Sequence, residues 1–156
     1  MTRKIRLLFV LMIVAMIFAL PTAALANKKV FRASLSGPTG GRGSSVVATN
    51  IDGSIHVTLR AINLSSPVTA AHIHSSVDGS ILVTICNSAS PTAGVPLCTP
   101  APEGGNSVQL EANVTPQMLH ISGGQLRQAL DDGLTYVNVH TTMYPGGEVS
   151  GALELR

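Results

Sequence analysis

Three histidines carry the most specific chemistry in this sequence. His72 and His74 stand at i and i+2 in AAHIH, and His140 closes YVNVH further along the chain. On a β-strand, residues i and i+2 project from one face. The first two imidazoles therefore point together, their Cβ atoms about 6–7 Å apart at a rise of ~3.3 Å per residue. Rings at that spacing converge on one ion when a third donor arrives from a neighbouring strand, and His140 is the residue placed to supply it. Three imidazoles suit copper or zinc, with a fourth position left to water or another ligand. Met143 is soft enough to be a weak ligand to Cu(I). Glu148 is a carboxylate ligand or, with Tyr144, a partner that orients the rings from behind. The competing reading has no ion: the trio is a hydrogen-bonded polar cluster pinning two strands, with His74 or His140 bonded to Glu148 or Tyr144. Both readings require the two strands to be neighbours. His56 falls on the polar side of its strand and is expected to be solvated. His120 lies in a helical stretch and is expected at the surface or as a C-terminal cap.

Other chemistries find little support. Cys86 and Cys98 are the only cysteines, and they flank a Pro-rich loop. Their spacing is neither the C-x2-C of thiolate metal sites nor a redox C-x-x-C. An even count in an exported chain predicts a disulfide, worth roughly 3 kcal/mol for a loop of that size. No G-x-S-x-G elbow is present. Asp131-Asp132 precedes Gly133 and reads as a turn, and Gly40-Gly41-Arg42-Gly43 lacks the strand–helix context and Lys of a phosphate loop. Asn63-Leu64-Ser65 and Asn113-Val114-Thr115 match the glycosylation pattern, which matters only on a glycosylating secretory route.

The elements that must position these residues begin after a leader. Arg3, Lys4 and Arg6 precede an unbroken apolar run from Leu7 to Leu20, then Pro21 and the small-x-small site Ala24-Leu25-Ala26. This is the pattern of a secretory signal peptide over residues 1–26, with an uncleaved N-terminal anchor as the alternative. Removing it from the 156 residues leaves 130, sized for one domain over residues 27–156. Basic residues fall from 10 to 7 against 8 acidic ones, so the net charge of +2 becomes −1. The mean hydropathy of +0.35 and the positive sign thus belong largely to the leader. No Lys/Arg cluster with interleaved aromatics remains, which excludes a nucleic-acid footprint.

Short runs of period-two alternation separated by Gly, Pro, Asn and Asp mark the rest as all-β. Strands are expected over 29–35, 46–51, 54–62, 68–75, 81–86, 108–114, 134–142 and 148–155. Residues 37–44 form a turn-rich loop, and Asp52-Gly53 is expected as a two-residue hairpin turn. Residues 87–106 form a long loop. Thr115-Pro116 starts one of two short helices or helical turns, broken at Gly123-Gly124 and stopped at Gly133. Seven or eight strands of this kind suit an antiparallel two-sheet sandwich or a closed barrel. The sandwich, immunoglobulin-like or like that of Cu/Zn superoxide dismutase, is the preferred expectation. With Phe31 the only Phe after the leader, the core must be aliphatic.

Three stretches resemble the CHRD (chordin-type) domain: AAHIH at 70–74, NVTPQML at 113–119, and DGLTYVNVHTTMYPGGEVSGALE at 132–154. The resemblance runs over roughly Val30 to Leu155. It implies an all-β domain outside the cytoplasm with no established enzymatic activity. The family's motif histidines fall on His72, His74 and His140. Where the family usually has H-G-P and E-I-R-G, this chain has His74-Ser75-Ser76 and Glu148-Val149-Ser150-Gly151; the missing Arg tells against any role that depends on a cation beside Glu148. The trio also resembles the copper histidines of Cu/Zn superoxide dismutase, but no His stands between His74 and His120 to bridge to a zinc subsite, so dismutase chemistry is not expected. The expected function is that of a secreted, non-enzymatic binding module whose partner is an extracellular protein or surface ligand. Nucleic acid is not a partner, nor is membrane once the leader is cleaved. The alternative is a small copper- or zinc-binding protein in metal handling or oxidative defence.

Overall fold

The computed structural model describes residues 28–156, so the expected leader over 1–26 lies outside the described residues. Nine antiparallel strands form one continuous sheet. They are β1 (Lys29–Ser36), β2 (Arg42–Thr49), β3 (Ile55–Ile62), β4 (Val68–Ser75), β5 (Ile81–Asn87), β6 (Val108–Asn113), β7 (Thr135–Thr141), β8 (Val149–Ala152) and β9 (Glu154–Leu155). The order across the sheet is β5-β4-β7-β8-β1-β2-β3-β6, with β9 also on β1.

The alternating strands behave as their pattern dictates. In β3, Ile55, Val57, Leu59 and Ala61 are buried while His56, Thr58, Arg60 and Ile62 are only half-buried. Phe31, Ala33 and Leu35 of β1, Ile73 of β4, Val83 and Ile85 of β5, and Val137 and Val139 of β7 complete an aliphatic core around that one phenylalanine.

The expected two-sheet sandwich is not what forms. The sheet curls into a nearly closed barrel, and β8 carries it across. β8 pairs with β7 up to Tyr136↔Ala152 and with β1 at Ser36↔Ser150; Leu153 then turns into the core and β9 also pairs with β1. A strand paired on both sides in this way joins what would otherwise be two sheets. Close backbone approach at the β1–β8 crossing requires glycine, since a Cβ on Gly151 would overlap the Ser34 carbonyl. The remaining seam, between β5 and β6, is closed from the long loop. Asn87 N–H donates to the Pro96 carbonyl at 2.9 Å, and Gln109 N–H donates to that of Thr99 at 2.8 Å. The Cys86–Cys98 disulfide lies between these two contacts. Below it, Leu119 bridges to Val83 and the His120 N–H donates to Leu82 at 3.0 Å.

Three local expectations are corrected. The 37–44 loop is shorter, because Arg42 already pairs with Ser36. The turn at Asp52-Gly53 spans Asn50 to Ser54 rather than two residues, because the Asp52 carboxylate accepts from both the Ser54 N–H and hydroxyl and stabilises a wider bend. Gly123-Gly124 does not break a helix but starts one. A 3-10 turn covers Pro116–Met118, and helix α1 spans Gly123–Asp131 with Ser122 as N-cap in a reciprocal capping box with Gln125. Leu126 and Leu130, one helical turn apart, fix α1 over the barrel end where Lys29 pairs with Asp131 and Arg127 donates to the Gly53 carbonyl.

Candidate functional site

The imidazoles gather on the outer face of the sheet. In β4, Ala71 and Ile73 enter the core, so His72 and His74 point away from it. β4 and β7 are direct neighbours, with Ala70 opposite His140, His72 opposite Asn138 and His74 opposite Tyr136. This pairing brings the third ring in. Ring centroids are 4.8 Å apart for His72–His140, 5.4 Å for His72–His74 and 5.9 Å for His74–His140. One nitrogen from each ring lies within 4.8 Å of the other two. His74 is buried, while His72 and His140 are half-buried and reach the surface.

Two turns aim the rings. The β4–β5 turn carries Gly79 at φ 73°, a left-handed conformation suited to glycine, and its carbonyl accepts from His74 Nδ1 at 2.9 Å. The β7–β8 turn, Tyr144-Pro145-Gly146-Gly147, folds back over the outer face of β7. The Pro145 carbonyl accepts from His140 Nδ1 at 2.9 Å, and the Gly146 carbonyl accepts from Asn138 Nδ2 at 3.1 Å. Gly147 sits at φ 116° directly against the Asn138 amide, where any Cβ would overlap it. The run from Asn138 to Gly147 is thus one interlocked unit that holds His140.

The hydrogen bonds assign the protons. A carbonyl only accepts, so Nδ1 carries a hydrogen in both His74 and His140, and a ring with a single proton then has its electron pair on Nε2. His140 Nε2 lies 3.0 Å from His72 Nδ1, which therefore donates to it. His74 Nε2 is buried and has no partner. The one other buried side-chain polar atom without a partner, among the described residues, is the hydroxyl of Thr135 on the core side of β7. Burial, with the neighbouring His140, His74 and His120 reinforcing it, pushes the His72 pKa down to about 3. Burial also lowers that of His140, against its bond to Pro145, which favours the proton. Both rings are neutral at physiological pH.

The other predicted residues are placed elsewhere. Glu148 is not a partner of the imidazoles. Its buried carboxylate accepts from the Thr39 hydroxyl at 2.7 Å, the Ser65 N–H at 2.7 Å, the Ser65 hydroxyl at 2.8 Å and the Thr141 hydroxyl at 2.7 Å, tying two loops and the end of β7 together at the barrel end opposite α1. Burial raises its pKa, but these bonds outweigh that and hold it below the ordinary value. Tyr144 acts through its backbone, its carbonyl accepting from Gly147 N–H at 3.0 Å. Met143 is exposed at 65%. His56 bonds Asn113 and Glu111, each at 3.0 Å, rather than solvent alone. His120 is exposed outside the helix, its Nε2 2.8 Å from the Thr84 hydroxyl, and Thr84 is the cross-strand neighbour of His72. Sequence reasoning missed Tyr136, which stacks on His74 at 5.2 Å and 15°, and Asn138. Period two from His140 would have put both β7 outer-face residues within view.

A nearly closed antiparallel barrel with an imidazole cluster on its outside defines the class of domain. The family model for the CHRD domain matches residues 22–153, nearly the whole chain, and the chain belongs to that family. Comparison with curated proteins and with solved structures finds no match. Among the described residues no helix is long and apolar enough to cross a membrane.

Proposed function

We propose that this chain is an exported, non-enzymatic binding module, and that it takes its ligand on the outer face of β4 and β7 around His72, His74 and His140. Family membership, the leader pattern and the Cys86–Cys98 disulfide support export. The observation that carries the binding face is the unpartnered Nε2 of His74. Leaving a buried acceptor unsatisfied costs ~1–3 kcal/mol. A phenylalanine there would remove that cost and keep the stack on Tyr136, against the loss of the bond to the Gly79 carbonyl, worth ~0.5–1.5 kcal/mol. A local rule broken at the floor of a half-open cluster marks a group kept for a ligand rather than for the fold.

Thermal unfolding of His74→Phe tests this. A binding face predicts a variant more stable by about 1 kcal/mol, or ~3–5 °C. A lower melting temperature would make the cluster a structural pin and remove the proposal. For export, the expected product outside the cytoplasm begins at Asn27 with its cysteines oxidised. A full-length, reduced chain retained inside would overturn that part.

A further inference from the structure

The geometry points to a three-imidazole metal centre on this face: His72, His74 and His140 hold one zinc or copper ion and leave a coordination position open to solvent. This names the ligand of the face proposed above and rests on that reading. The donors are already gathered, with one nitrogen of each ring within 4.8 Å of the others. Two nitrogens on one tetrahedral ion at 2.0–2.1 Å stand roughly 3.3 Å apart. His72 Nδ1 and His140 Nε2 are 3.0 Å apart, so that pair opens by a few tenths of an ångström, and the third ring, within 4.8 Å, closes by at most roughly 1.5 Å.

The rings are also set up behind the donors. Metal-bound histidines typically give their second N–H to a carboxylate or backbone carbonyl, which fixes the tautomer and the ring plane. His74 and His140 both do so, to Gly79 and Pro145, on turns whose glycines adopt left-handed backbone. Their electron pairs are therefore confined to Nε2, and that of His74 faces no other partner. Only His72 must change: the proton on its Nδ1 moves to its Nε2, by way of solvent, and the freed Nδ1 pair turns onto the ion. No proton is lost overall and no redox partner is needed.

The donor set selects the ion. Three imidazole nitrogens with no carboxylate among them do not suit calcium or magnesium, which take oxygen ligands. Imidazole suits zinc and copper, and copper(II) binds a given nitrogen site more tightly than zinc. The open position lies on the side of His72 and His140, the two half-buried rings.

The test uses the untagged exported protein after chelator treatment, titrated separately with zinc chloride and copper(II) sulfate by calorimetry. One ion per chain is expected, with affinity reduced at least ~100-fold in His72→Ala and in His140→Ala. Pulsed electron paramagnetic resonance of the wild-type copper(II) protein is expected to count three imidazoles, a readout that stands even where His140→Ala fails to fold. No saturable binding by the wild type, equal affinity in the variants, or fewer than three imidazoles would overturn the metal centre. If His74→Phe is stabilising while wild type binds neither ion, the binding face stands and the metal falls. If His74→Phe is destabilising as well, both fall.

Discussion

Glu148 and His74 are both buried and both polar, yet the fold treats them in opposite ways. The Glu148 carboxylate accepts from two loops, at Thr39 and Ser65, and from Thr141 at the end of β7, so every one of its bonds ties the barrel end together. His74 donates from Nδ1, stacks on Tyr136, and leaves Nε2 without a partner. A satisfied polar network rigidifies a fold, whereas a partly satisfied one is a stability cost unless something else fills it. The acidic residue of the P-G-G-E motif therefore belongs to the architecture, and the histidines two strands of the same sheet bring together form the proposed site.

The largest effect expected from breaking this contrast is Glu148→Ala. Losing these hydrogen bonds to a charged group, at ~1.5–3 kcal/mol for the one from buried Thr141 and less for those from exposed Thr39 and Ser65, predicts a loss of about 3–5 kcal/mol. The midpoint of urea unfolding measures it, and a change below 1 kcal/mol would move Glu148 out of the structural role. Gly147→Ala is next, at about 1–3 kcal/mol, because it imposes an unfavourable backbone conformation and collides with Asn138. Unlike Glu148→Ala, it also displaces the Pro145 carbonyl, so His140 should lose its fixed tautomer. Nitrogen-15 chemical shifts of that ring report the change, and an unaltered ring would show that the turn does not hold it.

Acid separates the two regions by pH window. His72 falls from 6.5 to about 3 in the folded chain, so between those values the unfolded state binds more protons. Stability is full above pH 6.5 and declines as pH falls toward 3. Glu148 lies below its ordinary 4.5. Its contribution is full above that value and is lost only as pH falls through the lower folded one. Melting temperature should therefore drop between pH 7 and pH 5 in the wild type, and the slope should flatten in His72→Gln but not in Glu148→Gln. A slope abolished by Glu148→Gln would reverse the assignment. The smallest effect is the rise of a few degrees in His74→Phe, opposite in sign to the others.

Much of this was legible in the residues. Period-two alternation located the strands because burial on one face is a local property of each run. The same period placed His72 and His74 on one face, and the Ser122-Gly-Gly-Gln125 and Thr115-Pro116 segments carry their own start signals, although Gly123-Gly124 was read as a break. An even cysteine count and the expectation of export were enough for the disulfide. The resemblance to the CHRD domain rested on the long run from Asp132 to Glu154, and the family match bears it out.

Pairing between distant strands was the part no local signal could supply. That His140 meets His72 depends on β4 lying beside β7, and that the sheet curls into a barrel depends on β8 serving both β7 and β1. Glu148 looked like a partner of the histidines because both sit in one motif. Only the fold decided that its carboxylate turns toward Thr39 and Ser65, more than eighty positions away. Alternation, caps and cysteine pairing follow from short-range sterics and solvation, and the sequence by itself determined them. Which faces meet, which carbonyls aim which rings and which buried nitrogen is left unpartnered are set by packing across the whole barrel, and the tertiary structure alone decided those.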